Sequence, residues 1–130
     1  MRVIFYAMEN YPQLDACLRA IRRVSIGRTL EFCRNLQELT DALSRSWNGE
    51  TVAILAFSDQ QELKAIMNHR ELLTDLPLIL VLPATDRETV RLGHQLRPRF
   101  INFQGNNFAE VTAVLEKLLI RFGNGPIQGF

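Results

Sequence analysis

The chain has 130 residues, of which 15 are basic, 14 are acidic and 47% are hydrophobic. That length suits one domain of roughly 100–150 residues with a real core. The near-balanced charge supplies no overall field to hold nucleic acid or a membrane surface, so a charge-driven contact must come from a local patch.

In chain order, five short apolar runs alternate with five stretches of helical rhythm. Val3-Ile4-Phe5-Tyr6 opens the series as a strand, and the loop 7–12 after it has no glycine and no hydroxyl run. Such a loop offers no phosphate cradle for FMN or a dinucleotide. Leu14, Leu18 and Ile21 mark the first helix. Leu30-Glu31-Phe32-Cys33 alternates in polarity and predicts an edge strand, whereas the remaining runs are apolar at nearly every position, as in a parallel sheet covered on both faces. Leu36, Leu39, Leu43 and Trp47 predict the second helix, stopped by Gly49. Val52-Ala53-Ile54-Leu55-Ala56-Phe57 is the third strand, followed by a helix carrying Leu63, Ile66, Met67 and Leu73. Leu78-Ile79-Leu80-Val81-Leu82 is the fourth, and the helix after it, with Val90 and Leu96, is ended by Pro98. Phe100-Ile101-Asn102-Phe103 is the fifth strand, and Val111, Leu115, Leu118 and Phe122 mark the last helix.

A polar residue followed three positions later by Glu or Gln recurs at each expected helix start: Asn10 with Gln13, Asn35 with Glu38, Asp59 with Glu62, Thr85 with Glu88, Asn107 with Glu110. Each pair is placed to satisfy backbone N–H groups that a helix start leaves orphaned. A crossover helix after every strand, right-handed connections and one switch in winding direction give a (βα)5 α/β domain. It is a doubly wound parallel sheet of order 2-1-3-4-5 in a flavodoxin-like three-layer sandwich. The domain is expected over residues 1–122, with the glycine-rich 123–130 as a flexible tail or the start of a linker.

Cys17 and Cys33 fit no metal or redox spacing and read as buried free thiols, which suits a reducing cytoplasm. The start Met1-Arg2-Val3 runs directly into a strand, with no signal-type apolar region of roughly 7–15 residues, so a cytoplasmic location is expected. Glu9, Asp59 and Asp86 fall near one edge of the sheet, but helix starts account for the acidic residues there, and no metal is expected. His69 and His94 lie off the apolar stripes as surface residues. Ser44, Ser46 and Ser58 lack a nucleophile elbow, leaving a hydrolase without support. No catalytic residue and no cofactor is expected.

The five-fold rhythm resembles the receiver (CheY-like) domains of bacterial response regulators. There, two acidic residues after the first strand hold Mg²⁺, an Asp after the third accepts the phosphoryl group, and a hydroxyl residue and a Lys follow the fourth and fifth. Matched strand by strand, Ala7 and Met8 stand at the metal positions, Ala56 at the acceptor, Leu82 at the hydroxyl residue and Phe103 at the lysine. Only Glu9 of the acidic cluster survives, and no Lys occurs between Lys64 and Lys117. The resemblance implies a pseudo-receiver whose phosphorylation pocket has become core.

Receivers commonly pair or dock through their fourth helix, fifth strand and fifth helix. The matching face here carries Arg87, Arg91, His94, Phe103, Val114, Leu118 and Leu119, an arginine stripe beside an apolar helix. The resemblance implies a phosphorylation-independent regulatory domain in bacterial signal transduction or transcription control. It would act through a protein partner, through dimerisation, or through an output domain in the same chain. A second reading is a small-ligand sensor or enzyme using the vacated sheet edge near Ala7, Ser58 and Ala84. A third is nucleic-acid binding through arginine clusters such as Arg19, Arg22, Arg23 and Arg28, which the neutral balance disfavours.

Overall fold

A computed structural model describes residues 1–124 of the chain. Five strands, β1 (Arg2–Tyr6), β2 (Thr29–Cys33), β3 (Thr51–Ala56), β4 (Leu78–Leu82) and β5 (Phe100–Phe103), form one parallel sheet of order β2-β1-β3-β4-β5. Helices α1 (Leu14–Val24), α2 (Leu36–Ser44), α3 (Gln60–Met67), α4 (Arg87–Gln95) and α5 (Ala109–Leu119) connect or follow them, giving the flavodoxin-like architecture. Among the described residues no helix is long and apolar enough to cross a membrane.

Strand alternation sends side chains to two cores. One holds Val3, Phe5, Val52, Ile54, Ile79 and Val81 against α1 and α5; the other holds Ile4, Tyr6, Leu55, Leu80 and Leu82 against α2, α3 and α4. Burial of each such aliphatic side chain stabilises the fold by about 1.5–3 kcal/mol before conformational entropy is subtracted. Edge strand β2 is only partly covered along its first four residues, which explains how Glu31 is tolerated within it.

The helix boundaries correct several expectations. Asn35 and Asp59 cap α2 and α3 as drawn, accepting from the N–H groups of Glu38 at 2.8 Å and Glu62 at 3.0 Å. For α4 the cap is Asp86 rather than Thr85, and it accepts from the Thr89 N–H. Asn107 accepts from the Ala109 N–H at 3.0 Å, one residue ahead of the position expected for a cap. Asn10 caps nothing. Pro12 disfavours helical backbone at Tyr11, so a turn runs from Met8 to Tyr11 and α1 begins only after Gln13, whose φ is 56°.

At its other end, α2 stops at Ser44, short of Trp47. Arg45 turns out to pair with Glu31, and Trp47 lies under the buried Arg2 guanidinium, 4.9 Å from it. Arg2 also donates from Nε to Thr51 Oγ1 at 3.2 Å and from a terminal nitrogen to the Ala42 carbonyl at 3.1 Å. The helix ends well before Gly49, and the residues beyond it are engaged in these contacts between distant segments. Leu73 belongs to a separate 3₁₀ turn (Arg70–Leu73), not to α3. The last helix runs on through a π-helical turn (Ile120–Asn124), two residues past the expected domain end. Residues 125–130 of the expected tail lie outside the described residues.

Candidate functional site

In a sheet of this order the crevice outside the C-terminal strand ends, where winding reverses between β1 and β3, is the place for chemistry. β1 delivers Ala7 and β3 delivers Ala56, and both are wholly buried in the α1–α5 core. β4 delivers Leu82, also wholly buried, on the opposite face against α4. Contact there is close: a Cβ built on Gly93 of α4 would lie 2.9 Å from Leu82 Cδ1. Met8 and Phe103 are half-buried and pack on the same α2–α4 core. The five positions therefore present methyl, thioether and phenyl groups, none able to ligate Mg²⁺ or accept a phosphoryl group.

The polar groups that remain at this edge are engaged with one another. Glu62, buried in the first turn of α3, accepts from the Tyr6 hydroxyl at 2.9 Å and from the Ser58 N–H at 3.3 Å. Burial pushes its carboxyl above the usual range, and burial with the Glu62 carboxylate beside it pushes the Tyr6 hydroxyl up as well. Tyr6 consequently stays protonated and holds Glu62 in place. Ser58 Oγ donates to Asn10 Oδ1 at 3.3 Å across the crevice. Asp86 accepts from the Thr89 N–H and hydroxyl, which hold its carboxyl below the ordinary value, and Gln60 donates to the same hydroxyl at 2.9 Å. Asp59 is occupied as the α3 cap, and Glu9 is exposed. Among the described residues no three His, Cys, Asp or Glu side chains gather closely enough to hold a metal ion.

Glu62 escaped sequence reading as anything more than half of a capping pair, because its partner Tyr6 lies 56 residues away. Asn102 escaped too. Buried near the end of β5, it accepts from the Phe103 N–H and the Asn106 side chain and donates to the Asn107 carbonyl, shaping the loop into α5. The neighbouring cleft, lined by Tyr11, Asn102 and Asn106 among others, encloses about 130 Å³, well below the roughly 300–1,000 Å³ of small-molecule pockets.

The expected interaction face is only partly on the surface. Arg87, Arg91 and His94 are exposed along α4, and Val114 is half-buried. Leu118 and Leu119 are buried, because α5 packs against α1 as well as the sheet and needs a broad apolar stripe for both. They are removed from the face. Arg91 makes a two-pronged ion pair with Glu88, at 2.8 Å in both hydrogen bonds. Cys17 and Cys33 are buried free thiols, and burial raises Cys17 and pushes Cys33 up to about 11. His69 is exposed, as are Arg19, Arg22 and Arg23, while Arg28 is half-buried. Compared with protein-family models, curated proteins and solved structures, the chain matches none.

Proposed function

We propose that this domain is a receiver-like regulatory module that works without phosphorylation, by contact with a protein partner or a second copy. One observation carries the reading: where a receiver needs carboxylates, a hydroxyl and an amine, this sheet edge holds Ala7, Met8, Ala56, Leu82 and Phe103, three of them wholly buried. A carboxylate pocket crowds like charges and costs stability, whereas these side chains join the two cores and add to it. Freed from phosphoryl chemistry, the scaffold retains surfaces rather than a reaction. Exposed Arg87, Arg91 and His94 on α4, beside the half-buried Phe103 of β5, form the working face. The cytoplasm suits this role, since two free thiols persist there unoxidised.

Light scattering across a concentration series, before and after incubation with acetyl phosphate and Mg²⁺, tests the reading. Assembly is expected to be the same with and without the phosphodonor, and to change in Arg87→Glu or Arg91→Glu. Phosphodonor-dependent assembly overturns it.

A further inference from the structure

Among the described residues β5 has a neighbour on one side only. The Arg99 N–H donates to the Leu78 carbonyl at 2.8 Å, and strand alternation turns the main-chain groups of Phe100 away from β4. An edge of this kind is a template for another strand unless it is blunted. β5 itself, Phe100-Ile101-Asn102-Phe103, carries no charged residue. Between α4 and β5 runs a groove of about 370 Å³ lined by Val90, Phe100, Ile101 and Phe103, all half-buried.

At the N-terminal end of β5 that groove opens into a larger cleft of about 860 Å³, and His94 and Arg99 line both. The charged residues shared with the groove, His94 and Arg99, are basic, Arg97 lines the larger cleft beside them, and all three are exposed. Among the described residues neither Arg97 nor Arg99 has a carboxylate within ion-pair distance. Arg99 lies over the Phe122 ring at 5.4 Å, a cation–π contact that orients it and leaves its charge uncompensated. Arg97 adopts φ 54°, left-handed backbone unusual for a residue with a side chain. It follows the end of α4 and precedes Pro98, which forbids continuation of the helix. Arg70, Glu71 and Asp75 line the larger cleft only, so the charged residues common to cleft and groove are the basic His94 and Arg99.

We propose that β5 is a docking edge for an extended peptide of a partner protein, with apolar side chains in the α4–β5 groove and carboxylates at Arg97 and Arg99. Two separate features choose this occupant: an unpaired strand with an apolar groove selects an extended apolar segment, and the uncompensated arginines at one end select acidic flanking residues. A second copy fits poorly, because its own β5 and the loop after it (residues 100–107) hold no carboxylate to meet the arginines. The proposal rests on the protein-interaction reading above and names the partner's chemistry.

The probe is a fluorescein-labelled synthetic peptide of roughly ten residues, alternating Val and Thr and ending in three aspartates, about the length of one strand. Fluorescence anisotropy is expected to show saturable binding that weakens with salt. Arg97→Glu and Arg99→Glu are each expected to weaken it about tenfold, Val90→Glu to abolish it, and Arg22→Glu to leave it unchanged. Exchange of the Phe100 amide hydrogen is expected to slow on binding. Absence of saturable binding, equal binding of a peptide with lysines in place of the aspartates, or indifference to the arginine reversals overturns the proposal. So does concentration-dependent protection of Phe100 without peptide, which assigns the edge to a second copy. A parallel sample treated with acetyl phosphate separates the two failures: a phosphoryl adduct sinks the phosphorylation-independent reading itself, whereas an unlabelled protein that ignores the peptide sinks only the docking edge.

Discussion

An alanine at position 93 would place its Cβ 2.9 Å from Leu82 Cδ1, closer than packed carbon atoms come, and 3.2 Å from Cδ2, a tight contact, so Leu82 would have to shift. If Leu82 is a tightly seated plug in what would be a reactive pocket, that crowding has a measurable energy. Gly93→Ala alone gains about 1 kcal/mol of helix propensity but overpacks a buried site at a cost of about 1–3 kcal/mol, for a net loss of about 1 kcal/mol. Leu82→Ala removes a wholly buried side chain and is expected to cost about 2–5 kcal/mol through lost transfer energy and the cavity left behind. Together the changes compensate, because the new methyl at 93 enters space that Leu82 vacates. The double variant is expected to be about 1–3 kcal/mol more stable than the two single losses imply. Urea unfolding of all four proteins, with the slope m checked for constancy, reads this coupling. Additivity within about 0.5 kcal/mol would show that Leu82 moves aside freely, and the description of a close-packed plug would be wrong.

Glu62→Gln tests the buried Tyr6–Glu62 pair through pH. Because burial raises the folded-state pKa above the ordinary 4.5, the stability linked to this group is fully present below that value and is lost as pH rises through the folded pKa. Wild-type stability should therefore decline across that window more steeply than the variant's, and parallel urea midpoints at each pH would contradict the assignment. Arg2→Ala is expected to cost about 2–3 kcal/mol, since Arg2 hydrogen-bonds Thr51 and the Ala42 carbonyl and covers Trp47; a loss under about 0.5 kcal/mol, the usual range for surface substitutions, would show that its partners are dispensable. Both thiols are expected to react with Ellman's reagent at pH 8 no faster than the protein opens, given their burial and the raised pKa of each. Rapid labelling of native protein would contradict that.

The strand order was legible because each apolar run is followed by a helix, which leaves few ways to wind a parallel sheet, and Glu31 in an otherwise apolar run marked β2 as an edge. The caps at Asn35 and Asp59 were legible because a side chain reaching its own helix is a local event. What the sequence hid depends on contacts between distant segments. Beyond the end of α2, Arg45 meets Glu31 and Trp47 meets Arg2, and neither pairing has a periodic signature. The apolar breadth of α5 suggested an exposed surface at Leu118 and Leu119; the actual cause is a second packing partner, α1. Similarly, the proposed docking edge draws on Arg97 and Arg99 from the α4–β5 connection, whose place beside the groove depends on how α4 packs on the sheet.

Intact-mass analysis after incubation with acetyl phosphate and Mg²⁺ bears most directly on the account. With methyl groups at Ala7 and Ala56 and a leucine at Leu82, the protein is predicted to gain no phosphoryl group. A hydroxylamine-sensitive adduct on any aspartate or glutamate of the folded protein would contradict the claim that this sheet edge has become core.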